Sequence, residues 1–438
     1  MKKLLLLIFL FLIFNSNSYS LDIKSEHIDY LLKKVINEYN IRPLPTKPFE
    51  QSKKYMLGQS LFFDPLLSGN RDISCATCHL LNKGGADGTA FSLGSGAIGL
   101  AENRIMPEGR PLQGRNAPGL WNRDNNRLTS MFWDGSIEVL NLPNLRFRTP
   151  LGESLPEGFD NLMAAQALFP LIREDEMLGL EGDYSQSNLS NSHANLINDF
   201  TSSTKEMSYE DSALHIYKLL IKRLIFNDKP QPWEKEYRKL FTDAYPSKNI
   251  KEITIVDIGN ALSHFQEIAF STRDTRWSKY LKGDKDSINK DEKIGALLFY
   301  GRARCAVCHN GPVFSDFDYY SVGVQDYGPG MNESGIDYGR YYVTGNEDDK
   351  YKFKTPSLIN STITEPYFHN GSIDNLYDVI VKHINPLANA DQYTESGSFM
   401  MKLEEIKAIS PILTKGINIS GKEIYQLIAF LRTLEDDA

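Results

Sequence analysis

The chain has 438 residues and a formal net charge of −8. It is long enough for two or three domains with real cores, and it is acidic with no basic cluster, which excludes a nucleic-acid partner. Only four cysteines and eight histidines are present, so chemistry built on thiol or imidazole has few places to reside.

Residues 1–20, MKKLLLLIFLFLIFNSNSYS, combine two lysines, an apolar run from Leu4 to Phe14 and a small-polar stretch. That is the three-part pattern of a secretory signal peptide, with cleavage near Ser20; the apolar run is short for a membrane span. An uncleaved anchor is the alternative. Losing Lys2 and Lys3 takes the charge from −8 to −10. No cysteine follows this segment, which excludes a lipid on a mature N-terminal cysteine. Residues 21–53 read as an N-terminal arm with a short helix around HIDYLLKKVINEY.

The next stretch, YMLGQSLFFDP, has apolar residues at helical spacing and leads to CATCH at 75–79; CAVCH follows at 305–309, preceded by IGALLFYG. Secretion would permit two disulfides, Cys75–Cys78 and Cys305–Cys308. A thioredoxin-like pair would lack its βαβ context, and zinc would have to recruit ligands from distant segments. Neither explains a histidine at the same offset twice. Two sulfurs two residues apart can form thioethers to one porphyrin and bring the next histidine beneath the iron, the pattern of c-type haem attachment. The reading is two covalent haems, on Cys75/Cys78 and Cys305/Cys308, with His79 and His309 as proximal ligands.

A second repeat follows each attachment site. APGLWN (117–122) precedes FWDGSI (132–137); TPSLIN (355–360) precedes FHNGSI (368–373). Duplicated haem domains explain this order, and the Asp-Gly and Asn-Gly turns would fix Trp133 and His369. The polar stretch 183–206 reads as a solvated insertion. Helices are expected in DSALHIYKLLIKRLIF and TIVDIGNALSHFQEIAFS. In the C-terminal half they are expected after an Asn289/Glu292 cap, in NLYDVIVKHINP, and after a Ser420/Glu423 capping pair. The fold class is mainly α, two cytochrome c-like haem domains in tandem with loop insertions, over 54–276 and 277–438.

No histidine lies between His79 and His193. The simplest reading leaves the first haem open or water-bound, as peroxide chemistry requires. His383, on a helix, is a candidate distal ligand for the second.

Together CATCH, RNAPGLWN, FWDGSI, QALFPLIREDEM, CAVCH, FKTPSLIN and PYFHNGSI resemble the bacterial di-haem cytochrome c peroxidases and the related methylamine-utilisation di-haem oxidases, across about 52–434. The resemblance implies that Trp133 lies between the haems and that Gln166, Pro170 and Glu176 line the distal pocket of the peroxide-binding haem. Gln166 lies 33 positions after Trp133, a longer connection than is usual in that family. Where those peroxidases often carry a releasable histidine, this chain has SLGSG around Ser95, which implies no need for reductive activation. Fourteen residues beyond His369, where the family supplies methionine or tyrosine, stands His383; Met331, Met400 and Met401 are the other candidates. His369 itself is expected in a propionate or hydrogen-bond network. The resemblance further implies one calcium held by the Asn116 side chain and the carbonyls of Thr364 and Pro366.

The expected function is a periplasmic peroxidase reducing hydrogen peroxide to water, with electrons from a small cytochrome c or cupredoxin and with a homodimer left open. The alternatives are a di-haem oxidase that modifies a partner protein and a non-catalytic electron-transfer cytochrome.

Overall fold

The computed structural model describes residues 25–45, 48–99, 103–141, 146–180, 198, 200–387, 393–394, 397–398 and 402–436. The expected signal peptide, most of the 183–206 insertion, Met400 and Met401 lie outside them. Among the described residues, no helix is long and apolar enough to cross a membrane.

The protein is mainly α-helical. Its longer helices are α1 (Ser25–Glu38), α2 (Lys53–Phe63), α3 (Tyr209–Ile225), α4 (Glu234–Ala244), α5 (Ile255–Ala269), α6 (Lys290–Tyr300), α7 (Leu376–Ile384) and α8 (Gly421–Arg432). The strands are short: β1 (Ser130–Met131), β2 (Ile137–Asn141) and β3 (Arg146–Arg148) form one antiparallel sheet, and β4 (Tyr319–Tyr320) pairs with β5 (Phe353–Lys354). The long connection between Trp133 and Gln166 is therefore partly sheet.

Two hydrophobic cores form. One gathers α2, α3, α4 and α5; the other gathers α1, α6 and α8. Each is organised on a helix crossing that the sequence repeat foreshadows. Gly58 of α2 meets α5 so closely that a Cβ there would lie 2.0 Å from the Ala261 carbonyl oxygen, and Gly295 of α6 would bring a Cβ to 1.9 Å from that of Gln426 on α8. One turn further along, Phe62 packs on Phe265 with ring centres 5.0 Å apart, and Phe299 on Phe430 at 5.2 Å. Glycine is required at both crossings because only a bare Cα lets the two backbones approach so far.

The Pro-x-Leu-x-Asn repeat has an equally concrete purpose. Asn122 and Asn360 both sit in the left-handed region, at φ 55° and 59°, which asparagine tolerates better than other side chains. The Asn122 amide donates to Phe270 O at 2.8 Å and that of Asn360 to Leu434 O at 3.3 Å. Their Oδ1 atoms accept from the amides of Thr272 and Asp436. Each asparagine thus ties the chain leaving the closing helix, α5 or α8, back to its own half.

α6 starts at Asn289 and α8 at Ser420, each with the expected reciprocal glutamate cap. α1 packs on α6 of the second core, with Ile28, Leu32 and Val35 buried. Lys293 holds it through Asp29 at 2.9 Å.

Candidate active site

The first Cys-x-x-Cys-His is a single helical turn, Cys75–Cys78, closed by the amide of His79 on Cys75 O at 3.0 Å. The second is a 3₁₀ turn, Cys305–Val307, with the amide of His309 on Cys305 O at 2.9 Å. The four cysteines form no disulfide. In both turns the histidine is oriented the same way. Nδ1 of His79 lies 2.6 Å from Gly85 O, and Nδ1 of His309 lies 3.1 Å from Phe314 O. A carbonyl oxygen only accepts, so Nδ1 carries the proton and Nε2 is left as a lone-pair donor, the arrangement of an oriented metal-ligating imidazole. Burial pushes both rings down to about 4, so they are neutral at physiological pH, as ligation requires.

His383 faces His309. It projects from α7 with Nδ1 2.8 Å from Val379 O, which again frees Nε2, and its ring centre is 6.3 Å from that of His309. Metal–nitrogen bonds are about 2 Å, so rings at this separation leave room for a metal ion that His309 and His383 would hold between them. The ring of Phe368 stacks beside His383 at 5.7 Å. The two histidines and Cys305 and Cys308 line an apolar-walled cavity of about 330 Å³, within the usual range for cofactor sites, about 300–1,000 Å³. His369 is on the same wall but stacked flat on Phe353, ring centres 3.5 Å apart, rather than opposite His309. Met331 is 36 % exposed against Gly114 and does not line this cavity.

Gln166, Pro170 and Glu176 follow one another through tight turns. Gln166 is buried at the end of the Leu162–Gln166 helix, Pro170 opens the Pro170–Ile172 turn, and Glu176 lies in a π-helical turn, Glu174–Leu178. Burial raises the Cys78 thiol, and Glu176 is near enough for its charge to add to that rise. Burial raises the Glu176 carboxyl to about 7, against the pull of Arg173, whose Nε is 2.8 Å from Oε1. A buried carboxyl raised toward neutrality is suited to proton transfer; Glu176, Gln166, Pro170 and His79 do not line the cavity around His309. The SLGSG loop packs on this turn: the Ser95 amide donates to Glu176 O at 2.6 Å and its hydroxyl to Asp72 at 2.8 Å.

Trp133 lines the cavity from the side of the first core. Its indole N–H donates to Asn116 O at 2.9 Å, and its carbonyl accepts from the Lys354 amide at 2.8 Å. Phe132 and Phe368, which precede Trp133 and His369 in the two Phe-x-x-Gly-Ser-Ile repeats, share a left-handed φ, 65° and 69°, and the same turn bond from the glycine amide at 3.3 Å. Strained backbone retained twice at bulky residues marks positions fixed by their surroundings. Asn116, Thr364 and Pro366 line the same cavity. The Asn116 amide group donates to Thr89 O at 2.7 Å, leaving Oδ1 for a cation. Among the described residues no cluster of three or more His, Cys, Asp or Glu forms a metal site, so a cation there would rest on amide and carbonyl oxygens, a set that suits calcium.

The sequence profile of the family described as di-haem cytochrome c peroxidase matches residues 52–286, more than half of the chain. The chain belongs to that family. It is an oxidoreductase of the peroxidase type, and the two Cys-x-x-Cys-His turns fit the two c-type haems of a di-haem cytochrome c peroxidase. Among its relatives are the cytochrome c551 peroxidase of Nitrosomonas europaea, 28 % identical over 83 % of each chain, and the methylamine utilization protein MauG of Methylorubrum extorquens, 27 % identical over 87 % of this chain and 78 % of that one. A solved MauG-like protein associated with microbial copper homeostasis superposes with a TM-score of 0.60 at 24 % identity, covering 96 % of each chain. The diheme peroxidase BthA of Burkholderia thailandensis superposes at 0.55 with 17 % identity, over 91 % of this chain and 87 % of that one. Both bear on the fold.

Sequence reasoning passed over several residues of this peroxidase's cavity, notably Trp121, Arg123, Lys354 and Phe368. Of these Trp121, Lys354 and Phe368 fall within the quoted motifs without being singled out, and Arg123 carried no signal.

Proposed function

We propose that this protein is a periplasmic peroxidase that reduces hydrogen peroxide to water, taking two electrons from a small cytochrome c or cupredoxin and two protons. The observation that carries the reading is an asymmetry. Two histidines are anchored alike through Nδ1, but His309 faces a second imidazole at 6.3 Å, whereas the first turn lies near a carboxyl raised to about 7.

In this reading His79 would hold the iron of the first haem, and His309 and His383 that of the second. The haems supply the redox chemistry when bound, peroxide reduction at the first and electron delivery at the second. Glu176, as carboxylate, takes the proton from one peroxide oxygen and returns it to the other, and Arg173 holds the carboxylate in place. Gln166 hydrogen-bonds the oxidant, and Pro170 sets the turn between them. Trp133, its indole plane fixed by Asn116, bridges the two sites. One calcium on Asn116 Oδ1 and the carbonyls of Thr364 and Pro366 would brace the same junction.

The test is steady-state turnover of peroxide with reduced cytochrome c by the oxidised, unactivated holoprotein. Turnover that falls sharply in Glu176→Gln supports the reading; an as-isolated enzyme that ignores peroxide would sink it. A second reading, a di-haem oxidase that modifies a partner protein, is favoured by the non-methionine face opposite His309. Oxidation confined to one protein partner, with cytochrome c left untouched, would select it.

A further inference from the structure

Cations and carboxylates do not balance on the wall between the two Cys-x-x-Cys-His turns. Arg115 takes both Asp134 and Asp337 at 2.7 Å. Glu138 is shared by Arg340 at 3.0 Å and Arg148. Arg123 and Lys354, which both line the cavity, have no ion pair among the described residues. The Arg123 guanidinium is pinned by two backbone carbonyls, Gly119 O at 2.9 Å and Pro118 O at 3.2 Å, which use only part of its five donors. Lys354 is 8 % exposed; its ammonium donates to the Ser130 carbonyl and lies 5.5 Å from the centre of the Tyr319 ring, neither of which carries a full negative charge. The two cations are close enough to repel one another, and burial pushes Arg123 down to about 10 and Lys354 well below its ordinary value. Trp121, on the same wall, has a buried indole N–H with no hydrogen-bond partner. Buried charges are ordinarily paired. Two like charges and an idle donor around one cavity describe a receptor for anionic oxygen.

We propose that Arg123 and Lys354 form a carboxylate-binding pair for haem propionates and thereby raise the reduction potential of the haem they hold. The proposal rests on the di-haem reading above. Bis-imidazole ligation at His309 and His383 would draw that haem's potential down, and cations on its propionates oppose the fall by disfavouring the more positive ferric state. The apparent idleness of Arg123 and Lys354 is then explained by a partner that is part of the cofactor. Arg123 is also felt at His79, so the carboxylates can come from either ring; a titration followed at wavelengths specific to each haem would separate them.

The experiment is a spectroelectrochemical titration of the holoprotein and of Arg123→Gln, Lys354→Met and Arg123→Lys, after covalent haem has been counted by the pyridine haemochrome spectrum. With two haems attached, Arg123→Gln and Lys354→Met are each expected to lower one midpoint by the order of a tenfold change in the reduction equilibrium, about 59 mV for one electron. Arg123→Lys is expected to stay nearer the parent. The haem that shifts identifies the source of the carboxylates. Unchanged midpoints in both neutral variants would overturn the proposal, as would equal shifts in Arg123→Gln and Arg123→Lys. Should Arg123→Gln fail to fold, Lys354→Met gives the same reading. An unsubstituted protein lacking two covalent haems would overturn the di-haem reading beneath, and this proposal with it.

Discussion

At the scale of single residues, what matters is where a proton sits. Glu176 is the instance with a measurable consequence. Burial raises its carboxyl to about 7, and in the base role proposed for it Glu176 must first be deprotonated, so the peroxide-dependent limb of kcat/KM should rise with pH and level off above about 7. Glu176→Gln should remove that limb and lower turnover by about 10²–10⁴-fold, the usual worth of a positioned acid–base group. A pH profile of parent and variant checks both statements. His383 gives the complementary prediction: His383→Met should raise the potential of the second haem and replace a bis-imidazole low-spin signal, read by electron paramagnetic resonance and redox titration. Legibility at this scale follows locality. The Cys-x-x-Cys-His turns announce themselves because thioether chemistry is written within five residues. The helix that bears His383 was readable from its apolar period. Arg123 and Lys354 were not, because their lack of an ion pair emerges only once Arg115, Arg148 and Arg340, drawn from both halves of the chain, have claimed the nearby carboxylates.

At the scale of elements, the sequence repeat was visible but its reason was not. Gly58 and Gly295 stood out as glycines before apolar clusters, yet the backbone each one meets, at Ala261 and Gln426, lies more than a hundred residues further on. The same holds for Asn122 and Asn360, whose partners Thr272 and Asp436 are separated from them by 150 and 76 positions. Helix α1 gave no sign in sequence that it belongs with the second core rather than with the first core that follows it in the chain. The crossings make a prediction in which two effects compete. Gly→Ala within a helix gains about 1 kcal/mol of propensity. Here the added methyl would lie within about 2 Å of a backbone oxygen that cannot move aside, and overpacking of this kind costs about 1–3 kcal/mol. Packing should win, so Gly58→Ala and Gly295→Ala should each lower the thermal midpoint. A midpoint that stays or rises would mean that the helices can separate without loss.

At the scale of the whole molecule, the junction between the halves is held by a buried charge cluster. Arg115 spans it, bonded to Asp134 of the first Phe-x-x-Gly-Ser-Ile turn and in two-pronged fashion to Asp337 of the second half. The neighbouring Asn116 carries the Trp133 bond, so the strut and an indole that lines the cavity share one stretch of backbone. Burial alone would raise both aspartates, but Arg115 overrides it and holds both carboxyls below their ordinary value. A depressed carboxylate stabilises the fold above its unfolded value, about 3.9, and that contribution is lost as pH falls through the lower folded value. The intact protein should therefore keep this stabilisation at neutral pH and lose it only in strong acid. Arg115→Leu leaves two buried carboxylates without their shared cation, a loss of about 3–5 kcal/mol when a buried pair is broken. The sign of its pH dependence then reverses. Without the guanidinium, burial raises both aspartates, so the folded variant takes up protons before the unfolded chain does. Its deficit against the parent should be largest near pH 7 and shrink as pH falls toward 4. Denaturant midpoints of parent and Arg115→Leu across that range check the argument. A deficit that is constant with pH would mean that Arg115 contributes packing alone, and that the two halves are held together by something other than this cluster.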